Sequence, residues 1–210
     1  MIDLYTFGTP NGRKISIALE EMSLAYQAHN VDINKGEQFT AAFEAISPYN
    51  RIPAITDRDT GLSVFESGAI LMYLGDKTGL YYPKELEPRL RVHEWLMWQM
   101  STVGPFLGRA HYFLGSNLGR APFAEDWFSD EARRIYGVLD RLLAKIEFMC
   151  GDYSIVDMAT FPWIARHEWQ RVDLNDYGNV KRWYLTIAAR PAVRRGYKVP
   201  DASIEIPRPK

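Results

Sequence analysis

One stretch constrains the chain more than any other. It runs Ser47-Pro48-Tyr49-Asn50-Arg51-Ile52-Pro53-Ala54-Ile55 and resumes at Val64-Phe65-Glu66-Ser67-Gly68-Ala69-Ile70-Leu71. The ring of Pro53 crowds Ile52 out of the helical region, so Ile52 is extended. An X-Pro amide is also where the cis form costs little. A cis bond there would turn the Ile52 amide and carbonyl outward, where an extended peptide pairs as an added strand. Residues 54–56 and 62–65 read as two short strands joined by the turn-rich Asp57-Arg58-Asp59-Thr60-Gly61. Glu66-Ser67 then opens an apolar helix. Ser67 takes the cap position, with free backbone N–H groups beside its hydroxyl, an arrangement that binds carboxylates. One arm suits a peptide backbone and the other an anionic end group, so the motif predicts a small anionic peptide as ligand.

The surrounding pattern splits the chain in two. Residues 2–7 and 26–33 read as strands. Between them residues 12–22 carry Ile15, Ala18, Leu19 and Met22 at helical spacing. A short helix over 39–46 ends at Pro48, and a helix over 67–77 closes at Gly79. The order βαβ, helix, ββα predicts an α/β layer with a small mixed sheet. From residue 81 the strands stop. Residues 81–87 read as a Pro-containing linker. The spacing then predicts helices over about 89–107, with a kink or break at Gly104-Pro105, over 128–147, and over 180–189 before Pro191. Ser154-Ile155-Val156-Asp157 is a near-capping box before another apolar helix, which Pro162 should bend. The expected organisation is an α/β domain over 1–80, the linker, an all-α domain over 88–199 and an irregular tail over 200–210.

Composition enters by exclusion. A net charge of −1 on 210 residues gives no bias toward nucleic acid. The one cysteine, Cys150, rules out an intrachain disulfide framework and a cysteine metal cluster. The four histidines have no metal-binding spacing, and His167-Glu168-Trp169 lacks the second His of a zinc helix. No apolar run is long enough to cross a bilayer, and the first residues begin a strand with no targeting pattern. These features predict a cytoplasmic protein with no metal, no nucleic-acid partner and no membrane partner.

The α/β half followed by an all-helical half resembles the cytosolic glutathione transferases. Arg51-Ile52-Pro53 matches their cis-proline strand, Glu66-Ser67 their glutathione-grip pair, and Ser154-Ile155-Val156-Asp157 the capping box of their helical domain. Thr9-Pro10-Asn11-Gly12-Arg13-Lys14, Lys35-Gly36-Glu37-Gln38-Phe39 and the 46–53 and 65–71 segments are most similar to the bacterial nu class. The resemblance implies a thioredoxin-like N-terminal domain and a two-fold dimer. It also implies glutathione-dependent disulfide oxidoreduction in which bound glutathione, not a protein cysteine, supplies the sulfur. By the same resemblance Thr9 points its hydroxyl at that sulfur, and Asn11, Gln38, Arg51, Ile52, Glu66 and Ser67 form the grip. The nu class often carries an Arg at the position that Trp127 occupies here, where it meets an outer glutathione.

Within that frame Thr9 and Asn11 are the candidate thiolate stabilisers. Ser67 suits the γ-glutamyl carboxylate, Glu66 the ammonium group, Ile52 the cysteinyl backbone, and Arg51 with Gln38 the glycine end. Phe106, His111, Phe123 and Trp127 are candidates for a cosubstrate pocket, against the plainer alternative of helix packing. Three functions stay open: disulfide reduction through glutathione, conjugation of glutathione to a small apolar electrophile, and a non-catalytic binding module.

Overall fold

A computed structural model describes residues 1–209, which form two compact units. The first comprises Met1–Tyr82 with Arg190–Ile206, and the second Pro83–Ala189 with residues 207–209. Segment 190–206 therefore belongs with the N-terminal part, whereas the sequence reading carried the helical domain through residue 199.

The first unit is built in the order expected: β1 (Ile2–Thr6), α1 (Pro10–Glu21), β2 (Tyr26–Asn30), α2 (Ala41–Glu44), β3 (Ala54–Asp57), β4 (Ser63–Phe65) and α3 (Ser67–Thr78). The sheet runs β2-β1-β3-β4. β1 pairs parallel with β2, Leu4 opposite Ala28, and antiparallel with β3, Leu4 opposite Ile55. β3 pairs antiparallel with β4, Ile55 opposite Val64. This is the thioredoxin-like layer, with Ile2, Leu4, Ile15, Leu19, Ile55, Ile70 and Leu74 buried in its core. β2 is shorter than its apolar pattern, and the helix read over 39–46 is a 3₁₀ turn at Glu37–Phe39 followed by one α-turn. The Ile52–Pro53 peptide is cis. Gly79, at φ 70°, ends α3 in the left-handed conformation that favours glycine.

Sequence reading missed α9 (Pro191–Tyr197), which lies along α1. Pro191 ends the preceding helix and, at the first position of the next, starts another. Gly196 permits the close crossing. A Cβ there would meet the Ile17 backbone at 2.6 Å, and the Ser16 hydroxyl donates to the Gly196 carbonyl at 2.6 Å.

The second unit is all helical: α4 (Leu86–Trp98), α5 (Gly104–Ala110), α6 (Pro122–Leu143), α7 (Ile155–Ile164) and α8 (Gly178–Ala188). The expected break at Gly104-Pro105 is a widening instead. Residues Gln99–Val103 form a π-turn that runs directly into α5. Pro105 lacks an N–H and crowds the carbonyl four residues back, and the wider turn absorbs that without ending the helical run. Before α7 the capping box is complete: Ser154 caps the helix, and Asp157 reaches back to the Ser154 N–H at 3.0 Å. Pro162 lies inside α7, two residues before its end. Among the described residues no helix is long and apolar enough to cross a membrane.

Candidate functional site

The site grows from three chain turns at one end of the first unit's sheet. The first is the entry to α1. Thr9 is extended (φ −105°, ψ 161°), and its Oγ1 accepts from the Gly12 N–H at 3.2 Å, capping the helix just ahead of Pro10. A hydroxyl that accepts in this way still has its own proton to donate. Gly12 is required by close approach, since a Cβ would meet the Phe7 carbonyl and the Thr6 hydroxyl at 2.4 Å. The helix start, with its positive dipole end, is thereby held against the end of β1.

The second turn precedes β3. The Ser47 side chain, almost fully buried, donates to the Arg51 carbonyl at 2.8 Å and accepts from the Arg51 N–H at 3.4 Å. Asn50 (φ 53°) donates through Nδ2 to the Gln38 carbonyl at 2.9 Å. The Arg51 guanidinium lies 4.8 Å over the exposed Tyr49 ring. Ile52 lies beyond the last β1–β3 pair, Tyr5 opposite Ala54.

The third turn joins β4 to α3. Glu66 sits at φ 69°, ψ 114°, a region that costs a non-glycine residue roughly 1–3 kcal/mol and that recurs at ligand sites. The next residue, Ser67, begins α3 and is mostly buried. Beneath it, Lys14 of α1 donates through Nζ to Ser67 Oγ at 3.3 Å. Lys14 is only 2% exposed. Burial pulls its pKa down to about 7 against the upward pull of the Glu66 charge.

Together the three turns line a cleft formed by Asn11, Ser47, Tyr49, Arg51, Ile52, Pro53, Phe65, Glu66 and Ser67. Five of the seven expected grip and catalytic residues therefore converge: Asn11, Arg51, Ile52, Glu66 and Ser67. Thr9 stands at the α1 start two residues before Asn11 and is not part of the lining. Gln38 is not part of the lining either. Its Nε2 donates to the Ile33 carbonyl at 3.4 Å, while its Oε1 is buried with no hydrogen-bond partner among the described residues. Ser47, Tyr49, Phe65 and Lys14 were not singled out from the sequence. Lys14 was detectable, because it stands one turn before Ala18 and two before Met22, on the apolar stripe of α1. A lysine in that row points to a buried cation.

The cosubstrate candidates lie in the second unit. Phe106 and Trp127 touch at 5.7 Å, and Phe113 stacks on Phe128 at 5.3 Å. Trp127 is 45% and Phe123 86% exposed. His111 turns to Trp169, edge-on at 4.3 Å, and burial beside the Arg166 charge lowers its pKa. Arg133 and Arg134 pair with Asp130 and Glu131 on exposed helix surface. Cys150 sits in the tight turn before α7, where burial and the Asp157 charge push its thiol up to about 12. No group of His, Cys, Asp and Glu among the described residues is placed to hold a metal ion.

Comparison with known proteins agrees with this geometry. Residues 2–76 match the glutathione S-transferase N-terminal domain and residues 128–191 the C-terminal domain. The disulfide-bond oxidoreductase YfcG of Escherichia coli is 45% identical over 198 residues, covering 91% of this chain and 92% of its own. A glutathione transferase family member from Pseudomonas fluorescens, crystallised with two glutathiones bound, superposes with a TM-score of 0.88 at 40% identity, over 95% of this chain and 93% of that one. A glutathione transferase from Pseudomonas putida, crystallised with one glutathione disulfide per subunit, gives 0.87 at 38% identity, over 95% and 91%. By domain match, chain-long identity and fold, this chain belongs to the glutathione S-transferase family.

Proposed function

We propose that the protein is a glutathione-dependent disulfide-bond oxidoreductase. The observation that carries this is the cleft itself, where Asn11, Arg51, Ile52, Glu66 and Ser67 meet beside the capped start of α1. Glutathione offers two carboxylates, one ammonium group, two amides and a thiol. Ser67 and the first amides of α3 take the γ-glutamyl carboxylate, and Glu66 takes the ammonium group. The Ile52 backbone takes the cysteinyl unit, and Arg51 the glycine carboxylate. Gln38 joins Arg51 at the glycine end, and its carbonyl, accepting from Asn50, braces the loop that carries Arg51.

The sulfur then lies at the α1 start. A thiol of pKa about 8.5 is only about 3% ionised at pH 7. Lowering the pKa by about two units makes it roughly three-quarters thiolate, for about 2.7 kcal/mol of selective anion stabilisation. The Thr9 proton, the Asn11 amide and the helix dipole together supply contributions of that order. The thiolate attacks one sulfur of a disulfide, forms a mixed disulfide and expels the other half as a thiolate. A second glutathione thiolate resolves the mixed disulfide, leaving glutathione disulfide. The high pKa of Cys150 makes it a poor nucleophile for either step. YfcG is named for this activity, and family structures hold two glutathiones or the disulfide.

A second function, conjugation to apolar electrophiles, is favoured by one observation. Trp127 presents a half-exposed indole where the class often has an Arg. The protein works as a homodimer in the reducing cytoplasm, consistent with apolar side chains left exposed on the first unit at Phe39, Tyr49, Leu62 and Phe65. The test is a mixed-disulfide reduction assay run beside a chloronitrobenzene conjugation assay, with calorimetric titration of reduced and oxidised glutathione. Disulfide turnover well above conjugation is expected. Conjugation alone selects the second function, binding with neither reaction makes the protein a binding module, and no binding rejects glutathione altogether.

A further inference from the structure

Arg51 has its backbone fixed and its charge uncommitted. The Ser47 hydroxyl bridges the Arg51 N–H and carbonyl, and Asn50, at φ 53° and tied to the Gln38 carbonyl, turns the chain just before it. The Arg51 guanidinium lies 4.8 Å over the Tyr49 ring. Among the described residues that group has no carboxylate partner and donates to no carbonyl. Other arginines of the first unit differ: Arg58 is held by Asp3, Arg190 by Glu21 and Arg195 by Glu20.

A ring face attracts a guanidinium through its quadrupole and occupies none of the N–H donors, which lie in the plane of the group. An arginine held this way keeps its fork for a carboxylate. It has also lost part of the rotamer freedom that binding would otherwise have to remove. Tyr49 and Arg51 both line the cleft, so the held fork stands beside the ligand. Gln38 is neutral, and its amide serves a carboxylate or a carboxamide alike. Discrimination between those two end groups therefore falls to Arg51.

We propose that Tyr49 is a positioning residue: its ring holds the Arg51 guanidinium ready for a carboxylate, and so makes the cleft selective for glutathione with a free glycine carboxylate over the same tripeptide amidated, esterified or extended there. This rests on the proposal that the glycine end of glutathione meets Arg51. Tyr49 acts through Arg51 and needs no contact of its own with the ligand. The ring is 66% exposed, so replacing it removes little packing and leaves the loop to the Ser47 and Asn50 bonds.

The test titrates S-methylglutathione and its glycine amide by calorimetry at about pH 7 into the wild type, Tyr49→Phe, Tyr49→Leu, Arg51→Met and the double variant Y49L/R51M. The wild type should bind the acid about tenfold tighter than the amide, the scale of one charge-assisted bond. Y49F, which keeps the ring and loses only the hydroxyl, should keep that ratio. Y49L should weaken the acid about threefold, the scale of an exposed cation–π contact, and move the amide less, so that the ratio falls to about three. R51M should bind the two ligands alike, and adding Y49L to it should weaken the acid no further. A Y49L protein that keeps the wild-type ratio overturns the inference. So does one that weakens both ligands alike, as a role in assembly or packing would, and so does a Y49L loss that persists without Arg51. Y49S, which also lacks a ring, gives the same readings where Y49L does not fold. A wild type that binds acid and amide equally overturns this inference and leaves the glutathione assignment standing, whereas one that binds neither overturns both.

Discussion

Thr9 shows how a single residue combines a structural and a chemical task. Its oxygen is fixed by the Gly12 amide, and this fixing aims its remaining proton. Thr9→Ala should lower disulfide turnover by about tenfold or more and shift the acid limb of the pH–rate profile to higher pH, because the bound thiol ionises less readily. Glutathione affinity should change by less than about threefold. Steady-state kinetics across pH checks this, and an unmoved profile removes Thr9 from sulfur activation. At this scale the sequence was most informative where backbone chemistry is forced. Pro53 marked a place where a cis bond is cheap, and the bond is cis; Glu66-Ser67 announced a helix start. It was least informative where a polar residue is buried by partners distant in sequence. Lys14 and Ser67 are 53 positions apart, and only the folded sheet brings them together. Gln38, which the family pattern puts at the ligand, is tied here to the Ile33 carbonyl through Nε2 and to Asn50 through its own carbonyl.

Elements were legible wherever apolar period and punctuation agreed, as in α3 between Ser67 and Gly79, and ambiguous wherever proline gave two messages. Pro105 reads as a breaker but is absorbed by a π-turn, and Pro191 both ends α8 and starts α9. The clearest element-level device is the box before α7. Asp157 is fully buried and accepts from the Met149 N–H, the Ser154 N–H and hydroxyl, and the Trp183 indole at 2.8 Å. Burial pushes its pKa up to about 6 against those bonds, so it is ionised at neutral pH. Asp157→Ala strands several buried donors at about 1 kcal/mol or more each and should cost about 3 kcal/mol or more of stability by denaturant unfolding. A loss under about 1 kcal/mol would mean that water replaces the carboxylate.

For the molecule as a whole, the division into a mixed α/β layer and a helical half was readable from the change of period near residue 81. The return of the chain's end to the first unit was not, because no local pattern encodes it. One buried acid ties the first unit's hairpin to α3 and contributes to the acid stability of the whole. Asp57 is fully buried. Burial raises its pKa, yet the Lys77 ammonium at 2.7 Å, the Tyr73 hydroxyl at 2.6 Å and the Asp59 N–H outweigh that and hold it near about 2. A depressed folded-state pKa stabilises above the unfolded value, near 4, and the benefit fades as pH falls toward 2. Asp57→Asn should therefore be about 2 kcal/mol less stable than the wild type at pH 7, with the difference shrinking between about pH 4 and pH 2. Paired urea titrations at several pH values measure it, and a pH-independent gap would assign the loss to packing.

The docking of α9 on α1 has a consequence for biosynthesis. Apart from residues 207–209, the second unit is an insertion into the first, and a ribosome makes all the helices of that insertion before it releases the piece that completes the opening sheet layer. Until residue 197 emerges, the face of α1 around Ser16 and Ile17 lacks the contact that Gly196 makes with it. Any premature stop upstream of Pro191 would thus leave the ligand-bearing layer unfinished, although every residue of its cleft had already been translated.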